Sequence, residues 1–529
     1  MGRAESAPKA HIVLDRTISL PDAKLVIDGA TKIALHPEAL ARCAASHARL
    51  QQVIAEDRHV YGLTTGFGPL ANRLVDKIDG AALQQNLVYH LASGVGPEFD
   101  WLSGRAVVFA RLMSILQGAS GASEAVISGL VTLMNSEFSP CLPSQGTVGA
   151  SGDLTPLAHM VLCFQGRGAF RNRAGDRLNG LTGLTRIGVR PFDLARRDGL
   201  ALVNGTSAMT GLAVLNADLT TRSIGWSIAL TAALAETQMA RVEAWHPAFS
   251  ELRPHERQAD AASELLKRLV DSHRIVRTHL ADRQLTMHAN VLEARAGQDA
   301  YTLRCAPQVI GAVWDMLDWH DRVVETELSS VTDNPIFPPQ EGDHVLVLHG
   351  GNFMGQHVGL ASDALANAVC VLAGLAERQL ARLTDETLNN GLPAFLHEGA
   401  PGLNSGLMGA QVTATALLAE MRTVGAAGIQ SISTNGANQD VVSMGTISAR
   451  AVRDKLQKLM RIQAILGLAV AQAIDLRSSE NPKLAFSVHA IALRDFMRQR
   501  SPRLTKDRPL GGEIEAIADV MATNAPPNV

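Results

Sequence analysis

The chain predicts a mainly α fold, a bundle of long helices joined to a smaller mixed N-terminal region. Three observations carry this: aromatic residues make up only 4% of the 529 positions, alanine and leucine are abundant, and apolar residues recur with helical period over long runs. No Pro/Ser linker, charge block, low-complexity tract or internal repeat divides the chain, so one large interlocked unit is expected. In order, Met1 to about Thr31 mixes short apolar runs with turns. Residues 37–57 read as an amphipathic helix opened by Pro37, which suits a first turn because its missing N–H would find no partner there anyway. Tyr61 to Gly68 is a glycine-spaced loop. Helical patterns follow over 81–91, 102–116 and 124–135, and after a loop carrying Ser151 a further helix is expected over 154–165, with Pro156 in its first turn. From Leu200 onward long helices dominate, at 208–242, 306–327, 352–383 and 446–474. They are apolar over more than one face, as helices are inside a bundle or between subunits. Residues 1–200 thus form the mixed region and 201–529 the helical bundle.

Composition excludes several classes. A formal net charge of −3 leaves no basic footprint, so neither nucleic acid nor an anionic membrane is an expected partner. The five cysteines, Cys43, Cys141, Cys163, Cys305 and Cys370, show no paired CxxC spacing and read as reduced, buried thiols of a cytoplasmic protein. The longest apolar stretch, Ile462 to Ile474, is too short to span a bilayer and is interrupted by Gln463 and Gln472. The 17 histidines form no HExxH or Cys/His ligand set, so no metal is expected. Gly152 and Asp153 after Ser151 break the G-x-S-x-G elbow of a serine hydrolase. No lysine follows Gly152 as a phosphate cradle would require, so no nucleotide is expected either.

The most informative run is Gln145 to His159, which holds Ala150, Ser151 and Gly152. Attack of the Gly152 nitrogen on the Ala150 carbonyl carbon, with loss of water there and from Ser151, would close a five-membered 4-methylidene-imidazol-5-one ring. The residue types suit that chemistry. Gly152 offers an unhindered amide nitrogen, Ala150 a small neighbour at the attacked carbonyl, and Ser151 a hydroxyl that leaves to give the exocyclic methylene. Gly146 and Gly149 let the loop reach a strained turn. The positive end of the following helix would raise the ring's electrophilicity. Ala-Ser-Gly taken alone is a common loop tripeptide, and its neighbours decide the matter.

Seven motifs stand in one order: Tyr61 to Gly68, Gly149 to Leu154, Asn204 to Thr206, Gln298 to Arg304, Thr332 to Pro335, Gly350 to Phe353 and Asn438 to Asp440. On these the sequence resembles the aromatic amino acid ammonia-lyases over nearly its whole length, and most closely the bacterial tyrosine lyases, including the stretch Asn86 to Gly96. The resemblance implies the long helical bundle shared by ammonia-lyases and fumarases. It implies a homotetramer with sites drawn from several subunits, and the methylidene-imidazolone group built from Ala150, Ser151 and Gly152. The expected reaction is elimination of ammonia from L-tyrosine to give trans-p-coumarate. A tyrosine 2,3-aminomutase and a phenylalanine or histidine ammonia-lyase are the alternatives.

Roles carry over residue by residue. Tyr61 is the base for the β proton. A phenol ordinarily titrates near pH ~10, so a nearby dipole or cation is required to favour the phenolate, and mildly alkaline conditions should suit the reaction. Arg304 pairs with the substrate carboxylate through its planar fork. Tyr301, Asn204 and Asn334 are polar groups near the ring and the amino acid end of the substrate, and Asn435 belongs to the amine region. Gly68 and Phe353 shape the pocket wall. Tyr89, the remaining tyrosine, reads as a core ring. The ring electrophile is open to two uses, attack by the substrate amine or by its aromatic ring.

Selectivity rests on the pair His90 and Leu91, which reads Ser-His in histidine lyases, Phe-Leu in typical phenylalanine lyases and His-Leu in tyrosine lyases. His90 can exchange a hydrogen bond with a phenolic hydroxyl. Phenylalanine would leave it unpaired, at a cost of roughly 1–3 kcal/mol. Gln439 agrees, because histidine lyases place a glutamate there for the imidazole.

Overall fold

The computed structural model describes residues 11–194, 196–278, 285–286, 298–339, 344–400 and 402–528. As the sequence predicts, helices dominate and the strands are short. Two compact units emerge, both discontinuous in sequence. One comprises residues 1–218, 319–363 and 426–451, and the other 219–318, 364–425 and 452–529. Four of the five dividing points fall inside long helices, Ser207–Thr237, Ala306–Leu328, Gln356–Thr384 and Gly445–Glu480, and the fifth in the loop after Met408–Thr423. The division of the sequence into 1–200 and 201–529, by contrast, follows the chain.

In the first unit, strands His11–Leu14 and Lys32–Leu35 pair in parallel across the helix Leu20–Ile27. That helix went unread in the sequence, although Ser19 caps the amide of Asp22 and Pro21 opens the first turn. The helix Trp101–Leu116 is buried along almost its whole length and organises the unit. Its Arg105 donates to the carbonyls of Val26 and Ile27 and to those of Leu133, Met134, Ser136 and Phe138, satisfying the orphan acceptors at the ends of two neighbouring helices. Burial pulls its pKa down to about 10.

In the second unit, Glu236 is buried and accepts from the hydroxyls of Ser272 and Ser487 and from the Ser487 amide. Trp226 donates to the Met521 and Asn524 carbonyls. The short helix Tyr301–Arg304 is held by Gln379, whose amide donates to the Thr302 carbonyl at 2.9 Å.

Several expected boundaries are corrected. The helix begun at Ser207 stops at Thr237 rather than continuing to 242, because Met239 adopts a left-handed backbone; of the apolar residues that prolonged the pattern, Ala240 lies outside any helix and Val242 opens a 3-10 turn, Val242–Trp245. The last long helix runs to Glu480, six residues past the apolar pattern. There Arg477 ties its final turns to the carbonyls of Thr237, Asn389 and Asn390. The helix expected from 352 starts at Gln356, after turns through the glycines. Two helices, Gln356–Thr384 and Gly445–Glu480, have the length and composition to cross a membrane. Their most apolar windows are 61% and 83% buried within the protein, as core helices are.

All five cysteines are free; Cys43, Cys141 and Cys163 are buried, while Cys305 and Cys370 are only partly so. Tyr89 is not a core ring: it is 40% exposed, with the Arg167 guanidinium 5.2 Å from its centroid.

Candidate active site

The Ser151 loop is a succession of left-handed residues. Gly149, Ser151 and Gly152 have φ of 76°, 54° and 76°. The Gly152 amide folds back on the Gly149 carbonyl at 3.3 Å. A side chain at 152 is impossible, since a Cβ there would overlap the carbonyl of Gly205, with which Gly152 forms a parallel bridge. Next in sequence, Asp153 anchors the turn. Its amide donates to Gly205 O at 2.7 Å, and its buried carboxylate accepts from the Met209 amide and the Thr446 hydroxyl. Those donors lie in the first turns of Ser207–Thr237 and Gly445–Glu480, so one carboxylate serves two helix N-termini. Burial nevertheless dominates and lifts its pKa to about 6, against the opposing hydrogen bonds. The helix Leu154–Phe164 then directs its N-terminus toward the turn.

Tyr61 sits in the loop before the helix Gly80–Leu91, its ring edge-on to Phe67 at 6.1 Å. The Gly68 amide donates to the Tyr61 hydroxyl oxygen at 2.9 Å, the contact that best stabilises negative charge developing there. Gly68 has φ of 52°, and a Cβ on it would lie 2.8 Å from Asn435 Nδ2. The loop is pinned by the fully buried Gln84, which donates to the Gly62 carbonyl at 2.8 Å and accepts from the Leu200 amide at 2.9 Å. Tyr61 N donates to His349 Nε2 at 3.4 Å. Desolvation, with a contribution from Arg197, holds His349 below the ordinary histidine range, which keeps that nitrogen an acceptor.

Asn204 and Asn334 belong to one buried network. Arg197 grips both oxygens of Asp333 at 3.0 Å, with both side chains fully buried. Asp333 Oδ1 also accepts from Asn204 Nδ2 at 3.3 Å and from the Asn334 amide at 2.7 Å. Asn204 donates to the Asn334 carbonyl at 2.7 Å, and the Asn334 side-chain oxygen accepts from Gly350 N at 2.7 Å. Arg111 donates to Asn204 O; burial lowers its pKa to about 10, partly offset by Asp333. The asparagines are therefore held from behind by charge.

These pieces line one cavity of about 660 Å³, within the usual range for a small-molecule site. Tyr61, Gly68, Ala150 and Ser151 face it, Gly152 being their direct neighbour. So do His90, Leu91, Asn204, Asn334, Phe353, Asn435 and Gln439. The Gln439 amide donates to Ser151 Oγ at 3.3 Å. Every lining residue belongs to the first unit. Leu83, Asn86 and Leu87 join His90 and Leu91 on one face of their helix. Their helical spacing was a legible signal. Gln84, Arg197, Asp333 and His349 were given no role; Asp333 lies within the motif Thr332 to Pro335 and His349 directly before Gly350 to Phe353, the one hint the sequence offered.

Tyr301 and Arg304 do not line this cavity; they lie in the second unit. Tyr301 is 69% exposed, with the Arg304 guanidinium 4.4 Å from its ring centroid. Arg304 Nε is buried with no hydrogen-bond partner among the described residues.

Comparison with known proteins follows the same lines. The model of the aromatic amino acid lyases matches residues 18–499. The tyrosine ammonia-lyase of Cereibacter sphaeroides is 59% identical over 523 residues, which is 99% of each chain. That of Cupriavidus metallidurans is 39% identical, over 98% of this chain and 97% of its own. The crystal structure of tyrosine aminomutase from Streptomyces globisporus superposes with a TM-score of 0.90 at 35% identity, over 97% of both chains. A likeness of this extent places the chain in the aromatic amino acid lyase family of carbon–nitrogen lyases.

Proposed function

We propose that the chain is a tyrosine ammonia-lyase, converting L-tyrosine to trans-p-coumarate and ammonia without oxidation. One observation carries this reading: Tyr61, the Ala150–Ser151 turn and the His90–Leu91 pair, far apart in sequence, face a single cavity. The turn also fits the methylidene-imidazolone. Ser151 lies in the left-handed region beside two glycines that share it, and the Gly152 nitrogen is already turned back toward the residues before it. Once formed from Ala150, Ser151 and Gly152, that group supplies an electrophile that activates the substrate for loss of its amine.

The chain's own residues do the rest. Tyr61, as phenolate, takes the β proton; the C–H electron pair becomes the new double bond as the C–N bond breaks. The Gly68 amide faces the oxygen whose charge changes, and needs no rearrangement to do so. Asn204 and Asn334, fixed by the Arg197–Asp333 pair, serve the amino acid end. His90 and Leu91 receive the phenol.

Among the described residues no arginine or lysine lines the cavity, while Arg304 elsewhere has a buried nitrogen without a partner among them. The reading therefore includes a homotetramer in which another copy supplies Tyr301 and Arg304. Five free thiols support a reducing, cytoplasmic setting. No metal, nucleotide, nucleic acid or membrane has a part in the reaction proposed.

Incubation with L-tyrosine followed by chromatography tests the proposal. Equimolar trans-p-coumarate and ammonia support it. Accumulation of β-tyrosine would instead identify an aminomutase, the reading favoured by the likeness to the S. globisporus enzyme. Unchanged tyrosine would refute both.

A further inference from the structure

We infer that the second unit holds a binding site of its own for a small aliphatic α-amino acid, taken as its zwitterion. The site is a cavity of about 280 Å³ whose wall shares no residue with the cavity beside Ser151. It lies at the C-terminal ends of two long helices, Ser207–Thr237 and Gln356–Thr384, where the unsatisfied carbonyls of a last turn favour positive charge. The inference stands independently of the tyrosine reading.

Two buried amides on the wall define what the ligand must donate. Gln379 uses both hydrogens of its side-chain nitrogen on the Thr231 hydroxyl and the Thr302 carbonyl, each at 2.9 Å, and Gln238 donates to the Asn389 carbonyl at 3.4 Å. A carbonyl only accepts, so each nitrogen is fixed, and each side-chain oxygen remains an acceptor without a partner among the described residues. An ammonium group brings three N–H donors to such a place. Glu386, also on the wall, adds the matching charge and makes no ion pair with a described residue.

The opposite charge is met as well. Arg382, in the last turn of Gln356–Thr384, lines the cavity, and its guanidinium has no hydrogen bond or ion pair among the described residues. Its planar fork fits a carboxylate. Leu234, Leu303, Leu383 and Leu388 complete the lining without an aromatic residue, which suits an aliphatic side chain. Thr302 and Leu303 belong to the helix Tyr301–Arg304, so a ligand here would brace the segment that presents Arg304.

Isothermal titration of the intact protein tests this with L-leucine, with 4-methylpentanoate, which lacks the ammonium, and with 3-methylbutylamine, which lacks the carboxylate. L-Leucine should bind saturably, and each truncated probe about 10- to 100-fold more weakly, the range for losing a hydrogen bond to a charged group. Arg382→Gln should weaken leucine by a similar factor. If that variant does not fold, Arg382→Lys, which keeps the charge at the helix end, should still weaken leucine several-fold by removing the fork. No saturable binding of leucine, or a truncated probe as tight as leucine, would overturn the inference. So would leucine binding untouched by the change at Arg382, which is what binding in the cavity beside Ser151 alone would give.

Discussion

Replacing Gly68 with alanine should damage catalysis far more than folding. Two costs arise. At φ of 52° an alanine pays about 1–2 kcal/mol for a left-handed backbone. Its Cβ would also stand 2.8 Å from Asn435 Nδ2, closer than real Cβ contacts allow, so the loop or the amide must yield by several tenths of an ångström. The group that moves is the amide held 2.9 Å from the Tyr61 oxygen. A hydrogen bond to a charged partner is worth about 1.5–3 kcal/mol, which at about 1.4 kcal/mol per decade predicts a 10- to 100-fold fall in kcat. The strain on folding, spread over a chain of 529 residues, should lower Tm by only a few degrees. Coumarate formation followed by absorbance, beside a thermal melt, separates the two. Asn435→Gly, combined with Gly68→Ala, should recover part of the loss by removing the collision but not the backbone strain. A Gly68→Ala enzyme within twofold of wild-type kcat would refute the role given to this amide.

Three further outcomes are expected. Ser151→Ala should abolish the near-ultraviolet absorbance of the ring and nearly all turnover while circular dichroism stays native; persistent absorbance would remove Ser151 from its origin. Asp153, lifted from 3.8 to about 6 by burial, holds its proton in the folded chain between about pH 4 and 6, where the unfolded chain has lost it. Stability from this group therefore falls as pH rises through that window, by at most about 3 kcal/mol, and the wild-type Tm should fall relative to Asp153→Asn across it. A difference independent of pH would contradict the assignment. Finally, Tyr61→Phe and Arg304→Ala chains, each nearly inactive alone, should regain activity when co-expressed, because a site can then combine an intact base from one copy with an intact arginine from another. Co-purifying but inactive hybrids would show that both groups serve the site of their own chain.

Much of this was legible in the sequence, and the exceptions have physical causes. Periodicity located the helix Trp101–Leu116 to within a residue, because burial on all sides leaves an unbroken apolar run. The same rule overran at Thr237, where Ala240 and Val242 remain apolar after the helix has ended. It fell short at Glu480, where polar residues continue a helix held by Arg477. At the site, glycine-rich and asparagine-rich motifs marked most groups facing the cavity. What could not be read was their support. Gln84 acts on the main chain of residues 62 and 200, and Arg197 on a carboxylate 136 residues away. Such contacts leave no period or spacing in the chain, only an isolated polar residue that happens to be buried.

The seat of the Ser151 turn has a consequence for how such a protein comes into being. Gly152 rests main chain to main chain against Gly205, and the neighbouring Asp153 reaches the starts of two long helices whose residues lie from about 55 to almost 300 positions downstream. Nothing in a nascent or extended polypeptide reproduces that seat. If ring closure needs it, dehydration can begin only after those distant segments have arrived. The lost water then becomes a permanent chemical receipt of correct assembly, readable by mass in any single molecule long after the event.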